Sequence, residues 1–108
     1  MNKYERLKES LEKSKTGTMK CFGNSMLPIL PNPSVCTYAK QDKYEVGDIV
    51  FCKVKGRYID AHLITKKDGE RYMISNNHNY DNGWTKVIYG KVVSATNKEN
   101  KVVYTARK

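Results

Sequence analysis

No stretch of this chain approaches the roughly 20 apolar residues that a helix needs to cross a bilayer. Nor does it open on the charged-then-apolar pattern of a secretory signal. From these two absences we expect a soluble, cytoplasmic protein with no membrane span. Cysteine is scarce and odd in number: Cys21, Cys36 and Cys52, with no C-x-x-C. That usage argues against a disulfide scaffold and predicts reduced thiols. Cys21 and Cys52 lie in strand-like runs and read as small buried hydrophobes. The only histidines are His62 and His78. Neither stands at a ligand spacing from a cysteine, so no metal site and no cofactor is expected. The chain also lacks internal repeats and low-complexity segments. It has one helical pattern, and a DNA-reading helix-turn-helix needs two.

What is present suits one small domain. At 108 residues the chain is long enough to bury a core. Its eight tyrosines and many Val and Ile residues favour strands. The net charge of +9 is uneven. Residues 1–20 carry six basic and three acidic groups, and residues 91–108 carry five and one. The basic excess at the two ends is either a footprint for nucleic acid or another anionic partner, or a solubility device.

Tyr4, Leu7 and Leu11 recur at helical spacing, which predicts a short helix over 3–14. Gly17 is the expected stop signal. Strands are expected at 18–22, 35–39, 49–54, 57–65, 71–75, 86–94 and 102–105, with 76–83 a loop rich in Asn and Gly. The Asp68-Gly69 pair is a strong hairpin turn signal. The expected fold is mostly β, a barrel-like or coiled sheet, with one N-terminal helix (1–17) ahead of a single β domain (18–108).

The chain turns on Gly23-Asn24-Ser25-Met26-Leu27-Pro28. Gly23 permits a tight backbone, and Pro28 forbids helix and drives Leu27 to an extended conformation. Ser25 thus sits on a short, stiff segment, which suits a nucleophile, although an ordinary polar turn reads the same locally. A serine needs a neighbouring base. The best candidate is His62, because a free imidazole titrates near pH ~6.5 and accepts a proton at neutral pH. Strict alternation over Ile59-Asp60-Ala61-His62-Leu63-Ile64-Thr65 puts Asp60, His62 and Ile64 on one face. Met26, Leu27, Ile29 and Leu30 are either core or the wall of an apolar substrate groove.

Three blocks, in order, resemble the serine peptidase superfamily of LexA-like repressors, mutagenesis proteins and type I signal peptidases. Gly23-Asn24-Ser25-Met26-Leu27-Pro28 is similar to the G-x-S-M-x-P nucleophile box. Val46-Gly47-Asp48-Ile49-Val50-Phe51 is similar to the G-D-[IV]-V block. Ile59–Ile64 stands where the general base is carried, here His62, as in the histidine branch of signal peptidases. The resemblance covers about residues 21 to 93. It implies Ser25 as nucleophile, His62 as base and Asp81 as the orienting acid, with Asp60 as the local alternative. It implies a peptide or protein substrate bound beside Met26, Leu27 and Pro28. Ser75 stands where histidine-type relatives often carry aspartate, which leaves either Asp81 or a Ser–His dyad. Self-cleavage is disfavoured, because the arm around Gly17 is too short to reach Ser25. A stand-alone core of this kind fits a phage or mobile-element gene. The competing expectation is an inactive peptidase-like fold that binds nucleic acid or protein through its basic ends.

Overall fold

The computed structural model describes residues 2–106. Arg107 and Lys108, part of the basic C-terminal end, lie outside the described residues. The order is α1 (Lys3–Ser14), β1 (Thr16–Cys21), β2 (Ser34–Ala39), β3 (Ile49–Val54), β4 (Arg57–Asp68), β5 (Arg71–Ser75), β6 (Asp81–Thr85), β7 (Ile88–Thr96) and β8 (Val102–Thr105). The fold is mostly β with one helix and a curled half-barrel sheet. No helix among the described residues is long and apolar enough to cross a membrane.

Helix α1 begins on a reciprocal cap. Asn2 Oδ1 accepts from the Glu5 N–H at 2.9 Å, and the Glu5 carboxylate accepts from the Asn2 N–H. Leu7 and Leu11 are buried, as the spacing predicts. The stop differs from expectation. The C-cap is Lys15 in the left-handed region at φ 64°, and Gly17 is already inside β1. Gly17 serves packing instead: a Cβ there would come within 2.7 Å of Leu7 Cδ1. Gly90 is its counterpart on β7, 3.1 Å from Leu11 Cδ2 on the same criterion. These two glycines let the helix lie close on the sheet.

All strand pairings are antiparallel, in the order β1-β2-β7-β3-β4-β5-β6. Strand β7 is the spine: β2 runs along one side, while β3 and then β8 share the other. Every ladder except β1–β2 carries a register shift. Such shifts bend strands and raise their twist, and here they curl the sheet. Two lie beside Phe51 of β3, at Tyr89 on β7 and at Asp60–Ala61 on β4. Phe51 is fully buried among Tyr4, Tyr38, Tyr58 and Tyr89, with ring centres 5.0–6.2 Å away.

The sheet separates two cores. One joins Leu7 and Leu11 to Met26, Leu30, Tyr38 and Phe51. The other joins Tyr44, Val50, Cys52, Val54, Ile64 and Ile74. Strand β6 falls partly on residues expected to be loop. Asp81–Gly83 pair with β5, because Ile74 and Ser75 present ladder groups there that local turn signals do not reveal.

Candidate active site

The serine loop runs from Phe22 to Pro33 between β1 and β2. Gly23, at φ 107°, turns the chain out of β1 into a conformation that favours glycine. Its N–H donates to Asn32 Oδ1 at 3.0 Å, and Asn32 Nδ2 donates to Asn24 Oδ1 at 3.2 Å, closing the loop on itself. Met26 and Leu30 anchor it in the core. Ser25 is half-buried on the short stretch between these fixings.

A second loop holds the first. The Asn77 N–H donates to the Ser25 carbonyl at 2.8 Å, and Asn77 Nδ2 donates to the Leu27 carbonyl at 2.9 Å. His78 Nε2 lies 3.0 Å from the Asn24 carbonyl, which only accepts, so this nitrogen is the donor. The sequence marks this stretch only as a loop rich in Asn and Gly. The N-N-H run carried no signal that it reaches more than fifty residues back to the serine, because that proximity comes from the sheet's curl.

Ser25 and His62 line one cleft, with Gly23, Met26, Asp60 and Ala61 among its walls. Its cavity volume is about 30 Å³, room for a water or two. His62 reaches it through the β4 bulge. There Asp60 and Ala61 together oppose Phe51, and Ala61 takes the left-handed region at φ 48°. Strict alternation therefore fails: three consecutive residues, Asp60, Ala61 and His62, face the same cleft. Ile64 drops instead into the opposite core.

The bulge also sets the imidazole. His62 Nδ1 lies 2.6 Å from the Asp60 carbonyl oxygen. A carbonyl cannot donate, so Nδ1 carries the proton and Nε2 keeps its lone pair. No hydrogen bond joins Ser25 Oγ to His62 among the described residues, and the Ser25 N–H likewise has no protein partner there.

The expected acid is elsewhere. Asp81 does not line the cleft; its Oδ1 accepts from Ser75 Oγ at 2.7 Å. Ser75 Oγ in turn lies 2.8 Å from Thr65 Oγ1. Because the carboxylate takes the Ser75 proton, Thr65 is the donor in that second bond. The group on His62 Nδ1 is the main-chain carbonyl of Asp60, so neither the Asp81 nor the Asp60 carboxylate fills that place. Of the residues expected to bind substrate, Met26 is buried in the cleft wall, while Leu27 and Pro28 lie outside the lining.

A family profile described as peptidase S24-like matches residues 2–93. The chain belongs to the peptidase S24-like family. The match spans the helix, the serine loop, the bulge and the spine strand through Val93. No curated protein and no solved structure gives a match.

The three cysteines of this family member are free and buried. Cys21 lines the cleft beside Ser25, and the neighbouring Cys36 thiol, together with burial, pushes its thiol up. Burial pushes Cys52 up to about 12. Neither is a thiolate at neutral pH, and Cys36 is fully buried. No group of three or more His, Cys, Asp or Glu side chains suited to a metal occurs among the described residues.

Proposed function

We propose that this S24-like protein is a serine peptidase that uses a Ser25–His62 dyad. The single observation that carries the reading is the 2.6 Å contact of His62 Nδ1 with the Asp60 carbonyl. With Nδ1–H fixed on the Asp60 carbonyl, Nε2 is free to act as a base in the cleft that Ser25 lines.

The chemistry follows in order. A peptide carbonyl enters the cleft, and Ser25 Oγ attacks its carbon while its proton passes to His62 Nε2. The carbonyl π pair moves onto oxygen, and the Ser25 N–H, which has no protein partner among the described residues, donates to that oxyanion. The imidazolium is held by the Asp60 carbonyl, which accepts from Nδ1–H. His62 then protonates the leaving amine, and water reverses the steps on the acyl-enzyme. Asp81 has no part in this scheme; its oxygen is taken by Ser75. We place the protein in the cytoplasm, where three free thiols stay reduced.

The test is a fluorophosphonate probe, which phosphonylates only an activated serine. Wild type is expected to label at Ser25 and to lose labelling in Ser25→Ala and His62→Ala. Equal labelling of His62→Ala would remove the base from the scheme.

One observation favours the second reading, a peptidase-like fold that binds without cutting: no hydrogen bond connects Ser25 Oγ to the ring. That reading predicts no labelling of the wild type, together with salt-sensitive binding of nucleic acid or an acidic protein that Ser25→Ala leaves intact.

A further inference from the structure

The cleft is not the only hollow that Phe22 borders. On its other side runs a groove of about 360 Å³, walled by Lys3, Arg6 and Lys20 over the buried side chains of Leu7 and Met19. Phe22 lines both hollows and is 63% exposed, unusual for a phenylalanine beside a core. Two ammonium groups hold its ring: Lys3 Nζ lies 5.2 Å and Lys20 Nζ 5.4 Å from its centre. Lys3 Nζ also donates to the Lys20 carbonyl at 3.2 Å, which brings the helix start and the end of β1 together. No carboxylate lines the groove. None of its three cations takes part in an ion pair among the described residues, although other Lys and Arg side chains do. Strand β1 is the last in the sheet order, so the groove follows an outer edge.

Three uncompensated cations around one hollow attract anions, and Phe22, which lines both hollows, is the side chain a ligand crosses to reach from one to the other. We propose that the groove is an acidic-residue subsite of the peptidase. A peptide whose scissile bond lies by Ser25 passes over Phe22 and sets a Glu or Asp side chain among Lys3, Arg6 and Lys20. The inference rests on the peptidase reading of the cleft. A nucleic acid fits less well: single strands are held along extended basic tracks with several stacking aromatics, and here there is one ring and one short hollow.

The test uses two fluorescein-labelled octapeptides of alanine that carry Glu-Glu near one end or the other, and their Gln-Gln twins. Anisotropy titrations at low salt use the full chain with Ser25→Ala, which prevents turnover. One Glu peptide is expected to bind about tenfold more tightly than its Gln twin, from two exposed ion pairs. That preference is expected to vanish in the Arg6→Gln/Lys20→Gln double variant, whose fold is checked by circular dichroism, and to fade with added salt. Equal binding of the twins overturns the subsite. So does a preference that survives the double variant. A thymidine octanucleotide that binds more tightly and displaces the peptide overturns it in favour of nucleic acid. Fluorophosphonate labelling of the wild type separates the two claims. Labelling without a Glu preference sinks the subsite alone. A Glu preference without labelling sinks the peptidase reading and leaves the groove as a peptide-docking surface.

Discussion

The molecule contains two constellations that each hold a serine and an aspartate. One is Ser25, His62 and Asp60 around the cleft; the other is Thr65, Ser75 and Asp81 across β4, β5 and β6. In the second, every hydroxyl is spent: Thr65 donates to Ser75, and Ser75 donates to Asp81, at 2.8 and 2.7 Å. Ser75 is fully buried, so nothing can reach it. In the first, the serine hydroxyl has no protein partner among the described residues and the residue lines the cleft, while the imidazole has one nitrogen engaged and one free. A satisfied polar cluster stabilises a fold; a reactive one needs a group left unsatisfied where a substrate can arrive. Both sets hold a serine and an aspartate, but only the first holds an imidazole, and only its serine is left accessible and without a hydrogen-bond partner among the described residues.

That contrast can be attacked most strongly at the cleft. Ser25→Ala and His62→Ala are each expected to lower the rate of peptide hydrolysis by about 10³-fold or more while leaving the melting temperature close to wild type. A small rate change would put the two constellations on an equal footing. Next in size is the bulge that aims His62. Ala61→Val places a β-branched residue at φ 48° in a buried position and is expected to cost about 2–3 kcal/mol, with a parallel loss of fluorophosphonate labelling. Urea titration gives the first number. Retained labelling would mean that His62 does not depend on the bulge.

Asp81→Asn tests the other constellation. It is expected to destabilise by about 1–2 kcal/mol, since the buried Ser75 loses a charged acceptor, while kcat stays within a few-fold of wild type. A loss near 10⁴-fold in kcat, as for a triad acid, would break the distinction. Asn77→Ala sharpens it from a different side. One bond to the Leu27 carbonyl is lost, at a cost of about 1 kcal/mol. The freed serine loop is expected to lower kcat with little change in KM, a split that a purely structural role would not produce.

The smallest effect concerns the buried thiols. Cys52 is pushed up to about 12 by burial, against an ordinary value of 9.0. A raised value means that the folded state keeps the proton longer than the unfolded chain does. The stabilisation is full below about pH 9 and is lost as pH rises toward 12. Linkage gives about 0.4 kcal/mol of lost stability at pH 9, measurable as a shift in urea midpoint between pH 7 and pH 9. Iodoacetamide at pH 8 is expected to leave Cys21 unmodified in the folded protein, because burial and the neighbouring Cys36 keep its thiol protonated.

Much of this was legible along the chain. The Tyr4, Leu7 and Leu11 spacing yields α1 with the bounds observed, and the apolar run Ile49–Val54 yields β3. Both signals are local: a helix face or a buried strand is written in consecutive residues. The order of Ser25, the Gly47-Asp48 block and His62 was sufficient to suggest the family that the profile match establishes. The misses share a cause. Lys15 rather than Gly17 caps the helix, because Gly17 is needed where Leu7 presses on β1. Alternation around His62 fails because the bulge inserts a residue. Asp81 stands at a plausible place in the sequence order; in the structure its Oδ1 accepts from Ser75, a contact that no local signal announces.

Consecutive residues therefore dictate the inventory and its order: one amphipathic helix, a set of strands, a serine on a glycine–proline loop and a histidine on a later strand. Which groups meet was decided by tertiary structure. The register shifts beside Phe51 curl the sheet, turn Asp60, Ala61 and His62 toward one cleft, and bring Asn77 onto the serine loop. A bulge costs a ladder bond and strains Ala61 into a conformation that alanine seldom adopts, so local propensity argues against it. It persists because Phe51 and its ring of tyrosines fill the space beneath it, and burial of that kind is a property of the assembled core, not of any short stretch of chain.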